Sequence, residues 1–124
     1  MKSILLVDDE KDILESLGAS LRRNGYRVFA APTGREALVL AKRERPQLII
    51  LDLILPDVDG SDVAARLLGD PETRDIPVIF LTSIMTKEEQ HTEGTQVGKR
   101  CVVAKPCRPE EILAHVKDCI GSAD

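Results

Sequence analysis

Short, uninterrupted runs of apolar residues recur along the chain, and longer segments with helical spacing separate them. Each run has four or five residues, too few for a core helix, and lacks the alternation of a half-exposed strand. Such runs are typical of strands that are covered on both faces of a sheet. The predicted strands are ILLV (4–7), RVFAA (27–31), LIIL (48–51), VIFL (78–81) and CVVA (101–104), of which RVFAA is the weakest.

Amphipathic segments between these runs predict helices. In the segments that begin at Ile13 and Ile112, further apolar residues stand one, four and eight positions later, which puts a single apolar stripe on each helix. Thr33 and Glu36 form a capping box at the start of another helix, and Ser61 is expected to cap a further one. The pattern therefore alternates strands with helices.

The segment 87–100, KEEQHTEGTQVGKR, departs from this pattern. It is polar, it contains Gly94 and Gly98, and Val97 is its only large apolar residue, so we expect a short, irregular helix or a loop. The remaining alternation predicts a parallel sheet wrapped on both faces by helices, an α/β fold. A chain of 124 residues has room for one such domain, which we expect to span residues 1–124.

Composition and charge narrow the classes of partner. The chain has 17 Lys and Arg against 21 Asp and Glu, a net charge of -4, and only 2% aromatic residues, so it lacks a polycationic or stacking surface for nucleic acid. No apolar run approaches the length of a membrane span or a signal-peptide core. We therefore expect a cytoplasmic protein without direct contacts to nucleic acid or membrane. The three cysteines lack the paired spacing of a zinc or dithiol site and are expected to be reduced.

Charged and hydroxyl side chains follow four of the predicted strands. Asp8 and Asp9 follow the first strand, and Asp52 follows the third. Thr82 follows the fourth strand, and Lys105 follows the fifth. Taken singly, each is more often a turn residue or a solvated strand end than part of a site. Because parallel strands end at the same edge of a sheet, where open α/β folds bind their ligands, the whole set favours one site.

The charge of this predicted cluster indicates its chemistry. Three carboxylates against one ammonium leave about -2 in a small volume, and this excess predicts a bound cation. Oxygen donors without His or Cys favour a hard ion, and this set suits octahedral Mg²⁺. Magnesium commonly brings a phosphoryl group to its remaining coordination positions, and an aspartate beside it can act as the phosphoryl acceptor.

A second group of acids, in DVDG (57–60), resembles part of a calcium loop. Counting Gly60 as the sixth position of such a loop puts Leu55 at the first position and Arg66 at the twelfth, where acids are required. The calcium-loop interpretation therefore fails. We interpret Asp57 and Gly60 as turn residues between a strand and a helix.

Four segments, in this order, resemble the motifs of response-regulator receiver domains of bacterial two-component signalling. They are ILLVDDE (4–10), LIILDLILPDVDG (48–60), IPVIFLT (76–82) and VVAKP (102–106), so the resemblance covers the whole chain. Each motif is weak alone, whereas the ordered set is highly specific. The resemblance implies a doubly wound, flavodoxin-like parallel sheet of five strands in the order 2-1-3-4-5.

The resemblance also implies a signalling role for the predicted cluster. Asp52 would accept a phosphoryl group from a phosphohistidine of a sensor histidine kinase or phosphotransfer protein. Thr82 would hydrogen-bond one phosphoryl oxygen, and Lys105 would pair with another. The phosphorylated protein would then signal through altered contacts with a downstream protein target.

Magnesium is the cofactor that the resemblance implies. Asp9 and Asp52 would ligate Mg²⁺ through their carboxylates, and Asp8 would act mainly through water. The backbone carbonyl of Ile54 would supply a further ligand.

The chain departs from the pattern of this family in three places. Val102 stands three residues before Lys105, where the family usually has Tyr or Phe, and Cys107 stands where Phe is common. The polar segment 87–100 occupies the place of the fourth helix. The resemblance also implies a cis bond between Lys105 and Pro106. We expect phosphorylation to be intact. The output surface that would contact a downstream partner, from the fourth helix to the last helix, is expected to be unusual.

Two other classes of function use the same fold. A phosphohydrolase with an aspartyl-phosphate intermediate would need a second acid two residues after the nucleophile, where this chain has Ile54. A flavin- or nucleotide-binding module would need a glycine- or hydroxyl-rich loop after the first strand, where Asp8, Asp9 and Glu10 would repel a phosphate. We therefore expect a phosphoacceptor that assists its own phosphorylation and dephosphorylation, and not an enzyme for outside substrates.

A stand-alone receiver and one receiver of a larger regulator both remain open, and the start at Met1 slightly favours the first.

Overall fold

The computed structural model describes residues 1–82, 96–97, 100–105 and 107–123. The strands are β1 (Ser3–Val7), β2 (Arg27–Ala31), β3 (Leu48–Asp52), β4 (Val78–Thr82), β5 (Gln96–Val97) and β6 (Arg100–Ala104). The helices within these ranges are α1 (Lys11–Arg23), α2 (Gly34–Glu44), α3 (Gly60–Leu68) and α4 (Pro109–Ile120).

All these strands belong to one sheet, and five of them run parallel in the order β2-β1-β3-β4-β6. Since β6 is the fifth parallel strand, the predicted flavodoxin-like order 2-1-3-4-5 is confirmed. The two-residue strand β5 adds an antiparallel edge beside β6, which the sequence pattern did not predict. The strands that carry the predicted site residues therefore all end at one edge of the sheet.

Two hydrophobic layers cover the two faces of this sheet, because successive side chains of a strand point to opposite sides. The layer beneath α1 and α4 contains the strand residues Ile4, Leu6, Leu48, Ile50, Ile79 and Leu81. The layer beneath α2 and α3 contains Leu5, Val7, Ile49, Leu51, Val78 and Phe80. The strand β3 lies at the centre with all five residues buried, which explains its unbroken apolar sequence up to Asp52.

The helix starts agree with the sequence in one case and differ in another. The side chain of Thr33 accepts the backbone N–H of Glu36, so the predicted cap of α2 is confirmed. The predicted cap at Ser61 is wrong, because α3 already begins at Gly60 and its N-cap residue is Asp59. The chain turns into the helix two residues earlier than predicted because Gly60, which has no side chain, packs directly against the end of β3.

Two predictions fall largely or wholly outside the described residues. Of the segment 87–100, the structure describes only Gln96, Val97 and Arg100, and all three lie in strands. The predicted irregular fourth helix and the predicted cis bond before Pro106 therefore stay predictions.

Candidate functional site

Strand ends position the polar residues that the sequence singled out. Asp8 directly follows β1, Asp52 is the last residue of β3, and Thr82 is the last residue of β4; all three are buried. Lys105 follows β6, and its backbone N–H donates to the carbonyl of Thr82 at 2.7 Å. The structure thus assembles an acidic cluster with one lysine at the carboxyl edge of the sheet, next to the exposed Asp9.

Lys105 connects the two buried aspartates. Its Nζ lies 2.8 Å from Oδ2 of Asp8 and 3.0 Å from Oδ2 of Asp52. The other oxygen of Asp8 accepts the backbone N–H of Glu10 at 2.9 Å. In the same way, Oδ1 of Asp52 accepts the backbone N–H of Ile54 at 3.0 Å. Each carboxylate is therefore fixed at one oxygen by its own loop and contacts the shared ammonium with the other.

Burial and the neighbouring charges shift the pKa of Asp8 in opposite directions, and the same holds for the pKa of Lys105. Burial raises the pKa of Asp8, because loss of water penalises the charged form, and the contact with Lys105 offsets this only in part. Burial by itself would lower the pKa of Lys105, but the contacts with Asp8 and Asp52 outweigh it and leave the pKa raised. Lys105 therefore keeps its positive charge at neutral pH.

The carboxylates offer a set of donor atoms that fits a metal ion. Asp8, Asp9 and Asp52 can each contribute one carboxylate oxygen, and these atoms all lie within 4.8 Å of one another. Oδ2 of Asp8 is buried; its contact with Lys105 is an ion pair, and no group in the described part of the chain donates a well-aligned hydrogen bond to it. An all-oxygen donor set with spare acceptor capacity suits a hard cation such as Mg²⁺.

Gly60 fixes the loop after β3 against the backbone of Asp52. Its N–H donates to the carbonyl of Leu53 at 2.8 Å. A Cβ at this position would lie 2.3 Å from the carbonyl oxygen of Asp52 and 2.6 Å from Cα of Leu53. The predicted turn residue is therefore required to be glycine, because only glycine allows this close approach.

Asp57 has a structural role that the sequence did not reveal. Its carboxylate accepts the backbone N–H of Gly34 at 2.9 Å and that of Arg35 at 3.0 Å, the first two residues of α2. The hydrogen bond from Gly34 is the largest cause of the lowered pKa of Asp57, and the bond from Arg35 adds to it. The loop after Asp52 thus caps α2. In the sequence, the only sign of this capping contact is the aspartate itself, because the helix that it caps begins 23 residues earlier.

A known protein family and solved structures both match this chain. The family model described as the response regulator receiver domain matches residues 4–117. The chain belongs to this family. Its structure superposes on the chemotaxis response regulator CheY4 of Vibrio cholerae with a TM-score of 0.84 at 29% identity, covering 97% of this chain and 99% of that one.

Further relatives of this receiver domain include a metal-bound structure. The receiver domain of the sensor histidine kinase PA1611 from Pseudomonas aeruginosa has a magnesium ion coordinated in its active site cleft; the TM-score is 0.83 at 30% identity, with 98% of both chains covered. The phosphate regulon transcriptional regulatory protein PhoB of Pseudomonas aeruginosa is 37% identical over 116 residues, 94% of this chain and 50% of that protein. The receiver domain spans about half the length of the curated relatives that it matches.

Both single-residue departures from the family pattern lie in the hydrophobic layers. Val102 is half-buried, pairs with Phe80 in the register of β4 and β6, and packs against the layer beneath α2 and α3. Cys107 packs against the opposite layer. Beside Cys107 and Lys105, a cavity of about 430 Å³ opens between α1 and α4.

The sequence predicted that the protein contacts neither membrane nor nucleic acid. In the ranges that the structure describes, no helix is long and apolar enough to cross a membrane. Several relatives are named as transcriptional regulators, and one is named as DNA-binding. The expectation that this receiver domain makes no direct contact with nucleic acid therefore stays a prediction.

Proposed function

We propose that this receiver domain accepts a phosphoryl group on Asp52 from a phosphohistidine of a sensor histidine kinase or phosphotransfer protein. The phosphorylated domain then signals in the cytoplasm through altered contacts with a downstream protein. The observation that carries the proposal is the buried carboxylate of Asp52, held at the strand end by Ile54 and Lys105 within the acidic cluster.

The arrangement of Asp52 supports a role as nucleophile. In the proposed transfer, the bond between phosphorus and the imidazole nitrogen breaks as a bond forms between phosphorus and a carboxylate oxygen of Asp52. The imidazole leaves with the electron pair. The hydrogen bond from Ile54 orients the carboxylate before the reaction, so less orientational freedom is lost in reaching the transition state.

Lys105 and the neighbouring acids provide the electrostatic part of the mechanism. The ammonium of Lys105 already contacts two carboxylates and stands where it can pair with an oxygen of the incoming phosphoryl group. Asp8, Asp9 and Asp52 would hold Mg²⁺, together with the backbone carbonyl of Ile54. When bound, Mg²⁺ neutralises the charge of the transferring group. Thr82, at the end of the adjacent strand, is the proposed hydrogen-bond donor to a phosphoryl oxygen.

The same site is poorly suited to the hydrolysis of outside substrates. The position two residues after Asp52 is Ile54, whose side chain has no proton to give to a leaving group. We therefore propose a phosphoacceptor that assists its own phosphorylation and dephosphorylation.

Phosphoryl incorporation tests the proposal directly. The purified protein is incubated with Mg²⁺ and acetyl phosphate, and its intact mass is measured. We expect a gain of one phosphoryl group in the wild type, none in Asp52→Asn, and a reduced rate in Lys105→Met. Asp59→Asn is the matched control, since Asp59 is an exposed acid of the same loop, and it should behave like the wild type. No gain in the wild type, or an equal gain in Asp52→Asn, would overturn the proposal.

A further inference from the structure

The outer face of α2 exposes one large apolar side chain that the hydrophobic core does not use. This helix buries Gly34, Ala37 and Ala41 against the sheet. Leu38 and Leu40 are half-buried and pack against the core beneath this helix, whereas Val39 between them is 59% exposed. A polar residue is expected at such an outward position of an amphipathic helix. Packing within the described ranges of this chain therefore gives no reason for valine there.

Basic side chains surround this apolar centre. Arg35 lies four residues before Val39, and Lys42 and Arg43 lie three and four residues after it, so helical spacing places all three on the same side of α2. The whole chain has a net charge of -4, whereas residues 34–45 carry four basic and two acidic side chains. The outer face of α2 is thus locally positive on an acidic protein.

Two shallow concavities flank Val39. One has a volume of about 350 Å³ and the other of about 400 Å³. Both are lined by Val39 and Arg43, so an apolar side chain that enters either one lies beside a guanidinium. We call this surface the Val39 patch; it consists of Arg35, Glu36, Leu38, Val39, Leu40, Lys42 and Arg43.

The positive charges of the Val39 patch are available to a partner. Lys42 lies 3.5 Å from Asp70, and Arg43 lies 3.2 Å from its sequence neighbour Glu44, but both cations are largely exposed. Exposed ion pairs of this kind contribute little to stability, so they exchange easily for other carboxylates. The backbone of Arg35 is held by Asp57, which fixes the point from which its exposed side chain extends.

We propose that the Val39 patch docks an acidic amphipathic helix of a partner protein. Arg35 and Arg43 are eight residues apart, a separation of about 12 Å along the helix axis. A partner helix with two carboxylates at the same spacing, and one large apolar residue midway between them, matches the patch in charge and shape.

Charge and chemistry favour this occupant over two others. In a symmetric dimer through this face, the patch would meet its own copy, and like charges would oppose each other. In a complex with nucleic acid, the apolar centre of the patch would face charged phosphates. An acidic protein helix satisfies both the charged rim and the apolar centre.

A synthetic peptide serves as the probe. It is a helix-forming peptide with one Leu that is flanked by Glu four positions before and four positions after, and a second peptide carries Lys in place of both Glu. Binding to the full chain is measured by fluorescence anisotropy, and the site is mapped by amide chemical shifts. We expect saturable binding of the acidic peptide below about 1 mM, with shifts centred on residues 34–45. Raising the salt to about 0.5 M should weaken it several-fold.

Matched variants distinguish specific binding at the Val39 patch from nonspecific binding of the peptide. Val39→Ser should weaken binding about tenfold, and the double variant Arg35→Glu, Arg43→Glu should lose the acidic peptide and gain the basic one. Leu68→Ser is the control, because Leu68 is a similarly exposed apolar residue on α3, at 56%, and should leave affinity unchanged. Circular dichroism checks that each variant is folded.

Several outcomes would overturn the proposal. They are equal binding of both peptides, equal loss of binding in Leu68→Ser, and no binding up to about 1 mM. Tighter binding of a DNA duplex than of the acidic peptide would assign the patch to nucleic acid. A dimer that Val39→Ser abolishes in sedimentation would assign it to a second copy. The assay needs no phosphodonor and is repeated in Asp52→Asn, so its result is independent of the proposed phosphorylation.

Discussion

At the scale of single residues, one lysine holds two buried carboxylates that would otherwise repel each other. Unit charges about 4 Å apart repel by about 4 kcal/mol at an effective dielectric of 20, which is large against the marginal stability of a domain. Lys105 compensates part of this repulsion at Asp8 and Asp52, while Asp9 remains exposed beside them. The uncompensated negative charge favours a bound cation.

Magnesium is therefore predicted to stabilise the folded protein. At a concentration 100-fold above its Kd, a ligand that binds only the folded state adds about 2.7 kcal/mol to the free energy of unfolding. Asp9→Asn should lose most of this gain, because it removes one ligand without leaving a buried group unpaired. The measurement is urea unfolding in Mg²⁺ and in EDTA, with Asp59→Asn as the control that keeps the gain. An equal gain in Asp9→Asn would show that Asp9 is not a ligand of the metal.

The backbone beside Asp52 depends on a single glycine, which gives a second prediction. In Gly60→Ala the added Cβ would clash with the carbonyl oxygen of Asp52 at 2.3 Å. We expect a loss of about 1–3 kcal/mol in the free energy of unfolding and slower phosphoryl incorporation, because the strand end must shift. Gly69→Ala is the control, since its Cβ would meet no atom closer than 3.4 Å. Similar stability of the two variants in urea would contradict this account.

At the scale of elements, the loop after β3 connects the acidic cluster to α2. One end of this loop is fixed by Gly60 against Asp52, and its middle is fixed by Asp57 to the first turn of α2. A Cβ on Gly34 would lie 2.3 Å from Val58, so the loop and the helix start are also in close contact. The position of the loop and the position of α2 are therefore set together.

The cap at Asp57 predicts a loss of stability that depends on pH. Asp57→Ala should lower the Tm at neutral pH, because it leaves two backbone N–H groups of α2 without their acceptor. The hydrogen bonds of Gly34 and Arg35 lower the pKa of Asp57 in the folded state. The stabilisation is thus fully present above the pKa of the unfolded chain and is lost as the pH falls through the folded-state pKa. The difference in Tm from the wild type should shrink accordingly in acid.

A matched variant tests whether the cap itself matters. Asp59 is the N-cap residue of α3, but its side chain makes no capping hydrogen bond. Asp59→Ala should therefore leave the Tm nearly unchanged at every pH. Equal effects of Asp57→Ala and Asp59→Ala in thermal unfolding would show that the loss comes from charge and not from the cap.

At the scale of the whole molecule, the sequence predicted the features that repeat along the chain. Unbroken aliphatic runs predicted the five parallel strands, and the rule that parallel strands end at one edge predicted that Asp8, Asp52 and Lys105 lie together. The order of the strands came from the resemblance to a family, because apolar periodicity does not encode which strands are neighbours.

The features that the sequence did not predict depend on packing between distant segments. Asp57 reaches α2 only because the loop and the helix lie against each other, and an isolated acid in a turn carries no mark of that contact. Ser61 looked like a cap, but the close approach of Gly60 to β3 starts the helix earlier. The strand β5 has two residues, too few for any period to be detected.

The central claim, that the cluster at the carboxyl edge makes Asp52 a phosphoacceptor, is tested most directly by locating the acyl phosphate. The protein is treated with acetyl phosphate and Mg²⁺, reduced with borohydride, digested, and analysed by peptide mass spectrometry. Borohydride reduces an aspartyl phosphate to homoserine, so the modified position is read from the fragment masses. We predict homoserine at position 52 only, dependent on Mg²⁺. Homoserine at position 8 or 9, or none in the presence of Mg²⁺ and phosphodonor, would contradict the claim.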